Sequence, residues 1–319
     1  MYDGTTKGEY RIMLQGVGNK VFRYGSASEE SIQAFADERL YLSAPVVFNG
    51  PFESDMYVNF HKAWERVTYE LERYERDYLG GKNKDGFQIV TPFNRGLFME
   101  IIDDPEKKKE FEEKVRREVI DTTEKLGENG RLADFYEDYL SDSIWMEQGD
   151  RYRGFALMYD KKKLENGVLY DGEERKLFKK ASFKKVSYTE TRHDFGTELF
   201  KLLTQKSQDD VKRDLKPILL QTLVTKNKSH ALEKEWRLCS LPDDIELQNE
   251  VSYMSVKPEA VFVGTNIEYD LKLELCRIAK KKKTHVYEVY ADPATPFYRL
   301  NFRKVDYKAL QTKAATANI

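Results

Sequence analysis

The chain has 319 residues, with 53 Lys plus Arg against 55 Asp plus Glu and a formal net charge of −2, enough for one large domain or two small ones. That balance excludes a general pull toward nucleic acid or an acidic membrane surface, and the 40% hydrophobic and 13% aromatic fractions exclude a disordered chain. Two cysteines, Cys239 and Cys276, exclude a disulfide scaffold and fit a reducing compartment.

The start MYDGTTKGEYRIMLQ lacks an apolar signal core, and no run of about 18 apolar residues suggests a membrane span. The expectation is a cytoplasmic protein with no membrane partner. His61, His193, His230 and His285 are far apart in sequence and give no zinc spacing. No phosphate-binding glycine loop and no nucleophile elbow occurs.

In chain order, KVFRYG (20–25) is β-prone. Ser28 then caps a helix with Glu29 and Glu30 in its first turn and Ile32, Phe35 and Ala36 on one face. RLYLSAP follows as a strand closed by Pro45, and FNGPFESD as a loop. Aromatic residues recur every three or four positions from Asp55 to Leu79, which predicts a helix. Another is predicted from Asp104 to Leu126, with Pro105 in its first turn and Gly127 at its end. This helical stretch lies between strand-rich parts and reads as an insertion at about residues 55–130.

SDSIWMEQ is predicted as a short helix, and RGFALMYD and FKKVSYTE as strands. Residues 195–225 read as helical, with Pro217 disturbing the second helix. EKEWRLCSL and EAVFVGT are strands, YDLKLELCRIAKKKK is a helix with cations at its C-terminal end, and THVYEVYAD and PFYRLNFRK complete the sheet. The expected division is one α+β domain over 1–303 and a tail over 304–319 with little to pack, hence disordered. Trp145 and Phe155 read as packing residues, and Gly154 as a point of close backbone approach.

In HALEKEWRL (230–238), an extended chain would turn Glu233, Glu235 and Arg237 to one face and Lys234, Trp236 and Leu238 to the other. The plain reading is a half-buried or edge strand in which Arg237 pairs with Glu235.

Four ordered stretches give a functional reading: FRYGS (22–26) with LYLSAPVVFNGPFE (40–53), SIWMEQGDRYRGFALMYD (143–160), LEKEWRL (232–238) and KPEAVFVGT (257–265). Together they resemble a bacterial family, domain of unknown function 2971. Where that family usually has Asn-Asp-Pro-Phe, this chain has Asn49-Gly50-Pro51-Phe52; Gln148, Tyr152 and His230 stand where tyrosine, histidine and tryptophan are usual. A looser resemblance is to the Arg–Ser–Glu pattern of ADP-ribosyltransferases, carried by Arg23, Ser43 and Glu233–Lys234–Glu235.

The second resemblance implies a mixed, twisted sheet of that fold and an NAD-dependent transferase, of the kind used as toxin or defence effector in bacteria or phages. NAD would be the co-substrate, and catalysis would need no metal. Cleaving the nicotinamide–ribose bond passes through an oxocarbenium-like transition state, which a nearby carboxylate stabilises. By the resemblance, Glu235 holds the nicotinamide ribose and Glu233 addresses the acceptor, a protein or nucleic acid left open. Arg23 meets the pyrophosphate or adenosine ribose, Ser43 supports the ribose or the catalytic carboxylate, and Tyr24 stacks on nicotinamide. Two rivals stand beside this: a nucleotide- or partner-binding module without chemistry on the same fold, and a metal-dependent nuclease using Glu233, Glu235 and Glu53 or Asp55.

Overall fold

The computed structural model describes residues 17–45, 55–81, 88–170, 176–177, 181–204, 208–241, 252–294 and 296–317. Eight strands form the main sheet, in spatial order Leu300–Lys304 (β14), His285–Ala291 (β13), Ala260–Val263 (β12), Phe155–Asp160 (β4), Lys20–Gly25 (β1), Arg131–Tyr136 (β3), Glu235–Ser240 (β10) and Ser182–Lys185 (β7). All neighbours are antiparallel except β12 and β13, which are linked through the helix Tyr269–Lys281. A second sheet joins Arg39–Leu42 (β2), Ser252–Ser255 (β11), Leu169–Tyr170 (β5) and Lys176–Leu177 (β6). Ser187–Thr189 (β8) and Thr225–Asn227 (β9) make a short parallel ribbon. The architecture is α+β with a mixed, largely antiparallel sheet.

Alternation along the strands divides the main sheet into two apolar faces. One buries Val21, Phe135, Leu157, Leu238 and Val261 against the second sheet and the helices Glu29–Asp37 and Tyr269–Lys281. The other buries Phe22, Trp145, Met158 and Phe262 at one end and Leu132, Cys239 and Leu241 at the other. The helix Glu29–Asp37 begins as its sequence demands: the Ser28 hydroxyl accepts from the Ser31 N–H, and Ile32 and Phe35 turn inward. Trp145 and Phe155 are core residues.

The helices Phe60–Arg73, Arg95–Ile102 and Pro105–Asn129 lie in the expected region, the first continuing into a widened turn at Tyr74–Leu79. They do not close a core alone. Trp64, Phe98 and Phe111 pack with Phe200, from the helix Gly196–Leu203, and Ile218, from the helix Gln208–Leu223, fills the same cluster. The Trp64 and Phe200 rings lie 4.8 Å apart and those of Phe111 and Phe200 5.0 Å. The insertion is therefore half of a helical layer that the later chain completes.

Three further expectations are corrected. The helix capped by Asp104 runs through Gly127 to Asn129, because Leu126 is buried and anchors the last turns. The helix Gln208–Leu223 continues across Pro217, held by the buried side chains of Ile218 and Leu219. The tail carries a helix, Tyr307–Ala317, which sits against Tyr269–Lys281, with Val305, Tyr307 and Leu310 on the main core and the Tyr269 hydroxyl donating to the Leu310 carbonyl.

Charge joins three adjacent strands where β1 starts and β4 ends. The Lys20 ammonium contacts Asp160 at 2.8 Å and Glu259 at 2.7 Å, and Glu259 also takes Lys163 at 2.9 Å. The Lys20 hydrogen bond holds the Asp160 carboxyl below the usual carboxylate range. Partial burial works upward on Glu259, but Lys20 and Lys163 outweigh it and its pKa is lowered. A carboxyl whose folded pKa is depressed contributes stability that is complete above its unfolded pKa and is lost as pH falls through the folded value. The Asp160→Asn/Glu259→Gln variant is accordingly expected to lose less stability between about pH 5 and pH 3 than the wild type, as measured by urea unfolding at each pH. An unchanged pH slope would contradict this assignment.

Candidate functional site

The predicted acidic doublet is reached by a turn rather than by strand alternation. Lys228–Glu233 forms a 3₁₀ helix, Lys234 is left-handed at φ 49°, and β10 starts only at Glu235. Glu233 and Glu235 nevertheless converge, because the Lys226 ammonium on β9 donates to both carboxylates at 2.9 Å. The other Glu235 oxygen accepts from Arg237 Nε at 2.6 Å, and Arg237 Nη1 donates to the Leu223 carbonyl at 2.6 Å. Glu233 takes His230 Nδ1 at 2.6 Å. The local Glu235–Arg237 pair of the plain reading is present.

Glu235 and Arg237 are each 1% exposed. Burial pushes the Glu235 carboxyl up, with Arg237 and Lys226 pulling against it. Burial also opposes ionisation of Glu233 and Lys226, but their ion pairing prevails: the Glu233 pKa is lowered and that of Lys226 raised. Tyr188 accepts the Glu235 N–H at 2.8 Å, and burial pushes its hydroxyl up to about 12.

The other predicted residues do not join this group. Tyr136 pairs directly with Phe22 on β1 and with Glu235 on β10, and directly opposed residues share a face. Glu235 thus shares its face with Phe22 and Tyr24, while Arg23 points through to the opposite one. Tyr24 is closest of the three: its ring lies 5.7 Å from that of Tyr136, but it packs on Trp145 at 5.0 Å and its hydroxyl donates to the Asp138 carbonyl. Ser43 bridges to Leu132, four residues from Tyr136 along β3, or about 13 Å at the usual strand rise. The single hollow implied by the resemblance is not formed by Arg23, Ser43 and Glu235. The loop Asn49-Gly50-Pro51-Phe52 and Glu53 lie outside the described residues.

Beside the charge cluster lies a cleft of about 550 Å³ that the sequence did not reveal. Its walls include Tyr57, Thr189, Arg192, His193, Lys226 and His230. Lys226 and His230 therefore face the cleft while holding Glu233 behind them. Arg192 contacts Asp55 at 2.5 Å and lies over the Tyr57 ring at 5.4 Å from its centroid. His193 and His230, separated in sequence, line one space beside the paired β8 and β9. A wider groove of 790 Å³ runs between the helices Glu29–Asp37 and Tyr269–Lys281, where Arg277 and Lys282 are engaged by Glu274 and Glu38.

Among the described residues no group of three or more His, Cys, Asp or Glu side chains is placed to hold a metal ion, and the two Glu235 oxygens already receive cations. No helix among those residues is long and apolar enough to cross a membrane. No family model, curated protein or solved structure matches the chain.

Proposed function

We propose that the protein is a nucleotide-binding module, with NAD or a related nucleotide in the cleft lined by Lys226, His230, Arg192 and Tyr57. The observation that carries this is the volume of about 550 Å³ combined with walls that hold Lys226 and Arg192, the acids Asp55 and Glu190, and the aromatic rings of Tyr57 and Phe195; that size suits a small-molecule ligand. Lys and Arg donors suit phosphate oxygens, and an aromatic face suits a base. Membership of domain of unknown function 2971 and an ADP-ribosyltransferase-like fold belong to the same reading, supported by the ordered stretches and the mixed sheet.

One observation favours the transferase form. Two carboxylates converge on a single lysine at the edge of the cleft, so a ligand phosphate that drew Lys226 away would uncover them. In that form Glu233, partly exposed, is the nearer acid, and Glu235 orients it through Lys226.

Calorimetric titration with NAD decides the first point, and chromatographic detection of nicotinamide the second. The binding module predicts saturable NAD binding without nicotinamide release, lost in Thr189→Trp, where an exposed wall residue is enlarged into the cleft. Nicotinamide release that disappears in Glu235→Gln would replace the module with the transferase. No binding of NAD or of ADP by the wild-type protein removes both.

A further inference from the structure

On the opposite side of the main sheet from this cleft, a second cavity of about 220 Å³ opens over Arg23. Its walls include Phe35, Tyr41, Phe155, Leu157 and Tyr159. Arg23 Nη1 is buried without a hydrogen-bond partner, and the guanidinium makes no ion pair among the described residues. Most buried donors are satisfied within the fold, and an arginine cannot shed its proton to escape the penalty. The cation stands next to Leu157 in the β1–β4 register, on the face occupied by the main apolar core.

We propose that this cavity binds a small aromatic carboxylate, whose two oxygens take the Arg23 guanidinium while its ring lies among Phe35, Phe155 and Leu157. A carboxylate matches the planar fork of arginine. The walls select against a bare phosphate: Phe35 is 1% and Phe155 3% exposed, and a dianion loses its hydration among such side chains. Tyr159 is 3% exposed and lies close enough for Arg23 to act on its ionisation. Burial keeps its hydroxyl protonated, so it remains a donor. Glu30 and Arg39 also line the cavity with opposite charges, so the Arg23 guanidinium sets its net positive charge. The volume takes one ring and one acid group, not a dinucleotide, and the site is independent of the nucleotide reading.

The test is calorimetric titration of the full chain with benzoate, with benzamide as its uncharged isostere and with inorganic phosphate. Saturable benzoate binding is expected, weakened roughly tenfold to hundredfold in Arg23→Met by loss of a charge-assisted pair, and benzamide should bind as weakly to the wild type. Tyr159→Phe should weaken benzoate by a smaller factor, and NAD should not compete. Arg23→Met should melt at or above the wild-type temperature, since it removes a guanidinium whose buried Nη1 has no hydrogen-bond partner. Absence of benzoate binding, equal binding by Arg23→Met, phosphate binding tighter than benzoate, or a marked fall in the Arg23→Met melting temperature would each overturn the proposal.

Discussion

Glu235→Leu is expected to destabilise the protein by about 3–5 kcal/mol, because it leaves a buried guanidinium without its carboxylate. Arg237 is 1% exposed and cannot deprotonate, and its Nη1 donates to the neutral Leu223 carbonyl. Lys226 would keep Glu233, so the loss falls on Arg237. Arg237→Met should be milder. Glu235 then retains Lys226, and its carboxyl can take up a proton, being already displaced upward by burial.

The sign of the pH effect follows. A carboxyl with a raised folded pKa contributes stability that is present below its unfolded pKa and is lost as pH rises through the folded value. Arg237→Met should therefore be closest to wild type under mildly acidic conditions and fall behind as pH rises. The double variant Glu235→Leu/Arg237→Met should recover most of the stability lost in Glu235→Leu, since apolar groups replace a matched pair with little net change. Urea unfolding of the three variants measures all of this. A Glu235→Leu loss below about 1 kcal/mol would mean that the pair is solvated, not buried as it stands here.

The second large effect is expected at Gly264, the residue that follows β12. A Cβ there would lie 2.1 Å from the Tyr152 carbonyl oxygen and 2.5 Å from its carbon. Both are backbone atoms of a turn held on several sides. Asp150, Arg151 and Tyr152 are consecutively left-handed at φ 49°, 53° and 65°, a conformation that L-residues adopt at a penalty. It is fixed by the Asn266 N–H on the Tyr152 carbonyl at 2.9 Å and by the Gly264 N–H on the Gly154 carbonyl at 3.0 Å. The Tyr152 ring stacks on Trp145 with centroids 5.8 Å apart, and its hydroxyl donates to Asp142 at 2.5 Å.

Gly264→Ala must push this turn away and break those bonds, so a loss of about 3 kcal/mol or more is expected, at the upper end for overpacking. Thermal and urea unfolding measure it. Gly154→Ala should behave alike, since its Cβ would meet the Gly25 carbonyl at 2.1 Å across the β1–β4 pair. An alanine at Gly127, where nothing lies within 4 Å, is the control and should be neutral or stabilising.

Much of the local structure was legible from residue pattern. Ser28 with Glu29 and Glu30 marks a helix start, Asp104-Pro105 marks another, and continuous apolar runs mark β4 and β12. Gly154 was legible as a close approach, and Glu235–Arg237 as a neighbouring pair on one strand face. The tail was misread, because the helix Tyr307–Ala317 is stabilised by Tyr269 and the main core rather than by its own weakly amphipathic sequence. That the helical insertion shares its core with the helices Gly196–Leu203 and Gln208–Leu223 was not legible, because one apolar stripe does not say which later helix will cover it.

The site was the least legible part. Arg23, Ser43 and Glu235 occur in a suggestive order, but order along a chain does not state which face of a sheet a residue occupies. Register does: Phe22 opposite Tyr136, and Tyr136 opposite Glu235, turn Arg23 to the far side. Nothing in the sequence singles out Lys226 among the chain's 53 basic residues, yet it is the group on which the two carboxylates meet.

By itself the sequence determined the α+β class, the positions of most strands and helices, and the pairing of Glu235 with Arg237, since these depend on periodicity and near neighbours. The tertiary structure decided which distant residues share a space: Lys226 with Glu233 and Glu235, His193 with His230, and Arg23 with Tyr159. The physical reason is that strand register and helix docking are settled by burial of whole faces at once, and a shift of one residue would send each of these side chains to the other side.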